Sequence, residues 1–374
     1  MSARRQQPAE VRPANKKGRS VFMRFLRGLA MFIDLVAVGL LLLTGYSGMV
    51  SPLSHSAWWG VMPLAFPIVF WIVAVLLCIQ LLWFWRGALV LFVGMVVCAG
   101  PVLDYFPLHM LQPKAPVGAE EFTLLTYNTH SDTMVDVGKT DLSDYILARD
   151  ADIICTQEAY MLAYSRREQE VQQRVDSLRI RYPYILFGGK TGGQGILSKY
   201  PVENIHLDVS SPLFNSGDVA AYRITLPTGR RICIFNVHLR SFGLTNTPLR
   251  EASENRAESE EVIAKLMTAS VDRARQVNKI VQWLRLYGGP DVIICGDFND
   301  VQGCHAIHTF ADVGFKSVYP EIGFGPMTTY NAKHLYYCID HVLYRGDLKP
   351  LWLKKGTLKA SDHYPLEVCF AISS

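Results

Sequence analysis

The distribution of apolar positions divides the chain near residue 107. Ahead of it, Gly28 to Tyr46 and Val61 to Phe84 are each long enough to cross a bilayer of about 30 Å at about 1.5 Å per residue, and Gly87 to Leu103 is shorter but just sufficient. Trp83, Phe84, Trp85 and Arg86 have the aromatic and cationic character of an interfacial turn. Behind residue 107 the apolar runs are short and separated by turn residues: FTLLTYN, ADIICTQ, YPYILFG, GQGILS, VAAYRITL, RRICIFNVHL, DVIICGDFN, CIDHVLY and PLEVCFAI. Several are apolar on both faces, as strands buried between layers must be, so the expected fold is α/β with packed sheets covered by helices. One long helix is predicted from Leu249 to Leu286, where Val262, Leu266, Val277, Ile280, Val281 and Leu284 recur at helical spacing. Its acidic opening, Glu251 through Glu261, suits the positive end of a helix dipole and reads as a solvated face.

Four regions follow: a basic disordered arm over 1–27, a membrane region over 28–106 with three transmembrane helices, a linker over 107–118 punctuated by Pro107, Pro113 and Pro116, and a folded domain over 119–374. Composition agrees, since 50% of the 374 residues are hydrophobic, a high share for a chain wholly in water. The first apolar segment is too long for a cleavable signal and has two more behind it, so a retained anchor is expected. Arg4, Arg5, Arg12, Lys16, Lys17, Arg19, Arg24 and Arg27 precede or open the first span, whereas Ser47 to Gly60 carries no Lys or Arg. An integral membrane protein with a cytoplasmic N-terminus is therefore predicted. Three crossings put the domain in the periplasm or outside the cell. Asp34 inside the first span is expected to be partnered or to reach the interface.

Charge changes the picture of the substrate. Nine of the 37 Lys and Arg but only three of the 33 acids lie before Lys114, which leaves 28 basic and 30 acidic residues in the remainder. That domain lacks the basic footprint expected of a polynucleotide binder. Cys155, Cys233, Cys295 and Cys369 sit in strand-like runs as small hydrophobes. No CxxC pair appears, which argues against structural zinc and a disulfide framework.

Candidate chemistry lies where polar residues end apolar strands. LLTYN ends at Asn128, DIICTQE at Glu158 and CIFNVH at His238; DVIICGDFN ends at Asp297 and Asn299, CIDH opens with Asp340 and His341, and SDH supplies Asp362 and His363. A single acid after a strand is usually a turn former or a cap. Six such ends with a carboxylate, amide or imidazole at each are not explained that way, because strand ends on one edge of a sheet converge in space. Acids with amides and imidazoles are the inventory for Mg²⁺ or Mn²⁺ beside a phosphate. No Walker loop, GxGxxG turn or GxSxG elbow stands in a supporting context.

With these segments in order, and with GQGILSKYPV, FNVHLRS, IDHVLY and SDHYPL among them, the chain from Glu121 to Ile372 resembles the endonuclease/exonuclease/phosphatase superfamily, the deoxyribonuclease I-like hydrolases. The resemblance implies a four-layer sandwich, two packed mixed β-sheets flanked by helices. It implies a phosphoric ester hydrolase, most simply a phosphodiesterase, dependent on Mg²⁺ or Mn²⁺ and using in-line attack of water. Residue by residue it implies Glu158 as the principal metal ligand, with Asn128 and Asp362 as further metal contacts. Asp297 would orient or deprotonate the water, and Asn299 and His363 would contact phosphate, as would Asn128. Asp340 would orient His363, and His238 would stabilise the transition state or protonate the leaving oxygen. Gln194 and Gly195 depart from the Asn and Ala common in relatives, and Arg240, Ser241 and Arg275 are additional phosphate candidates; His341 reads as a strand-edge residue without catalytic duty. Nucleic acid, a lipid headgroup and a small phosphate ester all remain open as substrates, as does an inactive membrane-tethered binding protein. The bilayer is the one partner implied besides substrate, and no protein partner is inferred.

Overall fold

A computed structural model describes residues 16–130, 142–159, 176–188, 193–210, 212–214, 218–243, 256–332, 335–358 and 361–373. The chain forms two compact units, one of residues 1–42 and 68–98, the other of 43–67 and 99–374.

The first unit holds most of helix α1 (Lys16–Tyr46) together with α3 (Phe66–Trp83) and α4 (Trp85–Val97). α1 is described from Lys16, inside the stretch read as an arm, and no proline interrupts it through Tyr46; residues 1–15 lie outside the described residues. Val21–Met49 and Trp58–Trp83 are long and apolar enough to cross a membrane. The third segment is broken: α4 and α5 (Ala99–Tyr105) meet at 69°. Pro101 accounts for the break, since in a continuous helix its ring would collide with the carbonyl four residues back, at Val97 where α4 ends. Asp34 is buried and partnered, with Gln80 Nε2 donating to both carboxylate oxygens at 3.1 Å. Gly94 lets α1 and α4 approach closely, for a β-carbon there would meet Val38 at 2.6 Å.

The second unit is a sandwich of two six-stranded mixed sheets. One has the order β13-β14-β1-β2-β4-β3, comprising β1 (Glu120–Asn128), β2 (Ile153–Gln157), β3 (Tyr184–Gly188), β4 (Gln194–Ser198), β13 (Leu348–Lys355) and β14 (Leu366–Ile372). The other has the order β5-β6-β7-β8-β12-β9, comprising β5 (Val202–Ile205), β6 (Val219–Thr225), β7 (Arg231–His238), β8 (Val292–Asp297), β9 (Lys316–Ser317) and β12 (Asp340–Arg345). In each sheet a single parallel pair, β1–β2 or β7–β8, is flanked by antiparallel strands.

Side chains alternate between faces along each strand. Leu124 and Phe122 of β1 enter the core between the sheets with Ile234, Ile293 and Val342, while Leu125 and Tyr127 face outward to Ile146 of α6 (Leu142–Arg149). The outer face of the second sheet is covered by α7 (Arg256–Tyr287) through Val277, Ile280, Val281 and Leu284. Helix, sheet, sheet and helix make the four expected layers. The expected acidic helix opening over 251–255 lies outside the described residues.

A buried polar bridge crosses between the sheets inside the sandwich. Gln157 Nε2 donates to Thr126 Oγ1 at 3.0 Å and to Asn236 Oδ1 at 2.7 Å, and Asn236 Nδ2 donates to the carbonyls of Thr156 and Gly195. Gly195 is required by this packing, because a β-carbon would come within 2.5 Å of Thr156 Oγ1. All eight cysteines are free.

The connection from α1 to α3, including the short helix α2 (Trp58–Val61), packs on the sandwich within this same unit. Gly48 abuts the backbone of Gly303, and His305 Nδ1 lies 3.1 Å from the Gly48 carbonyl. Ser270 donates its hydroxyl to the Ala57 carbonyl at 3.3 Å, and Tyr105 donates to Pro63 O at 3.0 Å.

Candidate active site

The strand register brings the polar ends together. Asn128 stands opposite Gln157 at the end of the β1–β2 pair, with Glu158 next in line; His238 stands opposite Asp297 at the end of β7–β8, and Asp340 opposite Asp297 on its other side. Gly296 is needed just before Asp297. Its φ is +133°, and a β-carbon would lie 2.0 Å from the Val237 carbonyl. Glu158 and Asn299 both take left-handed φ, at 52° and 51°, a conformation uncommon for non-glycine residues and concentrated at functional sites. Thr129 braces the Glu158 turn, donating its hydroxyl to the carbonyls of Gln157 (3.1 Å) and Glu158 (3.2 Å).

Asp297 is the centre of the cluster. Its Oδ1 accepts the Asn299 backbone N–H at 2.7 Å, and its Oδ2 accepts amide N–H groups from Asn128 at 3.0 Å and Asn299 at 3.1 Å. The same Oδ2 lies 3.6 Å from His238 Nε2 and 3.6 Å from His363 Nε2. Those two separations exceed a direct hydrogen bond. Asp297 is almost fully buried, so its geometry is fixed.

His363 is held from behind by Asp340, Nδ1 to Oδ2 2.9 Å. Burial disfavours its charge, but the carboxylates of Asp340 and Asp297 outweigh burial and raise the imidazolium to about 10. The site therefore carries a permanent cation at neutral pH, with Nε2 free to donate. Asp340 is set in turn by Thr329, whose hydroxyl oxygen accepts the N–H groups of Ile339 and Asp340. The hairpin of β10 (Tyr330–Ala332) and β11 (Leu335–Tyr337) pins the SDH loop: Asn331 N donates to Asp362 O, Tyr364 N to Thr329 O, and the Tyr330 ring meets His363 at 5.0 Å between centroids.

Two carboxylates keep a wet side. Glu158 Oε1 accepts from Asn128 Nδ2 at 3.1 Å, while Glu158 Oε2 and Asp362 Oδ1 lie 3.6 and 3.8 Å from His130 Nδ1. A tighter group, Asp297, Asp340 and His363, also has ligand atoms within 4.8 Å of one another. Its atoms are already committed, though, Asp340 and His363 to each other and Asp297 Oδ2 to two amides. A hard divalent cation prefers carboxylate oxygens with access for water, and Glu158 and Asp362 offer these. Asn128 spends its amide nitrogen on Glu158 and Asp297 and its oxygen on the His130 N–H.

The remaining sequence candidates sit elsewhere. Arg275 pairs with Asp272 along its own helix at 3.3 Å, the Ser241 hydroxyl accepts from Gly243 N, and Arg240 Nε faces Asp272 at 3.9 Å. Gln194 is buried in β4. His341 is buried beside Phe298 with Nε2 at 2.8 Å from the Asp300 carbonyl, and burial pushes its pKa down to about 4. Sequence reasoning missed His130, Tyr330 and the buried Arg273–Asp300 pair, joined at 2.9 and 3.0 Å behind Asn299. His130 lies two residues after Asn128, but its left-handed φ of 42° beyond the end of the strand defeats the alternation that would have placed it. The others depend on distant segments meeting and leave no local signal.

A search of curated protein sequences yields no match. Among solved structures, an endonuclease/exonuclease/phosphatase family protein from Bacteroides thetaiotaomicron is 15% identical, covering 68% of this chain and 99% of its own, with a TM-score of 0.47. The human nocturnin catalytic domain with bound sulfate is 17% identical over 70% of this chain and 99% of its own, with a TM-score of 0.45. A structure of ANGEL2, a 2′,3′-cyclic phosphatase, is 16% identical over 71% and 99%, with a TM-score of 0.42. The model of the endonuclease/exonuclease/phosphatase family matches residues 125–363, from the strand that ends in Asn128 through His363, and the chain belongs to that family.

Proposed function

We propose that this protein is a membrane-anchored, Mg²⁺- or Mn²⁺-dependent phosphodiesterase. The observation that carries the reading is the surrounding of Asp297 Oδ2, on which two amides and two imidazoles converge from separate strands. In this reading Asp297 takes a proton from water as the water oxygen attacks phosphorus in line. The bond from phosphorus to the leaving oxygen breaks, and His238 supplies that oxygen with a proton. The His363 imidazolium, held by Asp340, neutralises charge growing on a non-bridging phosphoryl oxygen. Glu158 and Asp362 hold the cation, which when bound adds Lewis-acid stabilisation of the same phosphoryl group. Asn128 orients Glu158 and Asp297 through its amide nitrogen, while its carbonyl oxygen accepts the His130 N–H and keeps a second lone pair for the cation. Asn299 fixes Asp297 and lies beside the phosphate position.

Three crossings are proposed, with α4 and α5 together as the third. Support comes from the packing of the 47–60 connection on the sandwich, Gly48 against Gly303 and Ala57 against Ser270. Segments packed on one another share a side of the bilayer, so an odd number of crossings separates the basic N-terminus from the domain. With that N-terminus cytoplasmic, the domain is periplasmic or extracellular. A reporter fused after Ser374 that works only in the cytoplasm would overturn this topology.

The hydrolase reading is tested with the full-length protein in nanodiscs and bis-p-nitrophenyl phosphate. Hydrolysis that requires Mg²⁺ or Mn²⁺, stops with a chelator and is lost in Asp297→Asn supports it. A protein that binds the cation yet hydrolyses nothing would instead be a tethered binding protein.

A further inference from the structure

The exit from the third membrane segment is followed at once by side chains that suit lipid better than water. α5 ends at Tyr105, and Leu108, Met110 and Leu111 come next, 66%, 75% and 88% exposed. They are joined by Phe324, 63% exposed, which forms a bridge with Leu108. This rim is held by the backbone, with Gly325 N donating to Pro107 O at 2.7 Å and His109 N to Gly323 O at 3.0 Å. Four large apolar side chains on a braced segment form an ordered surface whose exposure in water is unfavourable.

Chain length says what covers it. Three residues separate Tyr105 from Leu108 and six separate it from Leu111, so at about 3.3–3.6 Å per residue the rim lies no more than about 10–20 Å from the end of α5. Two ammonium groups flank it: Lys114 follows Leu111 in the chain, and Lys349 Nζ donates to the Lys114 carbonyl at 3.1 Å. Apolar side chains beside Lys make the composition of a lipid interface with anionic headgroups.

The rim is coupled to the active site through one segment. Tyr319 donates its hydroxyl to the carbonyls of Tyr105 (3.0 Å) and Gly325 (2.6 Å), tying the end of α5 to the Phe324 turn. From that turn the chain runs to Thr329, which positions Asp340, and to Tyr330, whose ring lies on His363. It returns at Tyr337, whose hydroxyl lies 3.4 Å from the Leu64 carbonyl just ahead of α3.

We infer that Leu108, Met110, Leu111 and Phe324 form a second membrane contact, distinct from the spanning helices, that beds the catalytic domain in the lipid surface. The active site then meets phosphodiesters presented by that surface in preference to dissolved ones. The placement rests on the proposed third span; the surface itself is tested independently of catalysis.

The test uses full-length protein in phosphatidylcholine–phosphatidylglycerol nanodiscs. An environment-sensitive NBD label at Leu111→Cys, in a Cys78→Ser, Cys338→Ser background, should show blue-shifted emission and be quenched by doxyl-labelled lipid. In parallel, Leu111→Glu combined with Phe324→Glu should lower the rate on a lipid-anchored p-nitrophenyl phosphodiester by about 10- to 100-fold, the equivalent of burying one large apolar side chain. Hydrolysis of dissolved bis-p-nitrophenyl phosphate should be unchanged. An NBD label that stays in water, or that is shielded by a second protein copy instead of lipid, overturns the inference, and so does an unchanged ratio of the two rates. If neither ester is hydrolysed by the parent protein, the hydrolase reading fails while the NBD result still decides the membrane contact.

Discussion

In the first sheet the parallel pair β1–β2 ends in Asn128 and Glu158; in the second, built on the same pairing pattern, β7–β8 ends in His238 and Asp297. The two ends face one site but differ in wetness. Glu158 shares the water-accessible side with His130 and Asp362, whereas Asp297 is buried with His363 and Asp340 behind it. Asp362 and His363 are neighbours in the chain and divide between the two sides, one near His130 and the other on Asp340. A hard cation needs hydrated carboxylate oxygens, while a proton acceptor and a phosphate-binding imidazolium need fixed positions and little competing water. One strand plan, repeated, thus yields a wet half whose carboxylates suit a cation and a dry half whose fixed groups suit proton transfer.

That division can be broken experimentally. Asp297→Asn should have the largest effect, lowering turnover by about 10²- to 10⁴-fold with cation affinity kept, read by steady-state rates beside Mn²⁺ titration. If cation affinity fell equally, the halves would not be separate. Glu158→Gln should instead weaken Mn²⁺ or Mg²⁺ at least about 10- to 100-fold, with part of the lost rate restored at saturating metal.

Asp340→Asn tests the dry half through pH. Because the folded His363 pKa is raised to about 10, activity that needs its imidazolium should persist from neutral pH and fall only as pH rises through that value. The stability it contributes has the same sign, fully present below the ordinary histidine pKa and lost as pH rises through about 10. Without Asp340 the limb should move down toward about 6.5, leaving about 30-fold less imidazolium at pH 8. A pH–rate profile that does not move removes Asp340 from the orienting role. The smallest effect on turnover is expected for Gln157→Ala, which cuts the bridge between sheets. It should cost about 1–3 kcal/mol in stability, read by denaturant unfolding, and leave the pH profile in place.

The sheet plan was legible because buried strands must read as short, doubly apolar runs, and the ends of those runs named the polar residues now found together. Less legible were groups whose partners are remote in sequence. Arg273 looks like any other charge on an amphipathic helix until Asp300 is brought against it, and nothing in SVYPEIGFG announces a turn beside a membrane exit. The long apolar helices were legible by length, but not the bend between α4 and α5, which depends on one proline. The side chain of Asn128 illustrates a further limit: its residue type suits ligation and orientation equally, and its two partners, Glu158 and Asp297, appear only once the sheets are packed.

The close seam between Gly48 and Gly303 also bears on how this enzyme can be handled as a piece of protein engineering. A fragment starting at Lys114 contains every strand of the sandwich, yet it omits the 43–67 connection and α5, which lie in the same compact unit. Cutting there would strip the cover from the loop that begins one residue after Asn299. The apolar helices and the sandwich are interleaved in the chain, so neither can be exchanged as a cassette without carrying part of the other.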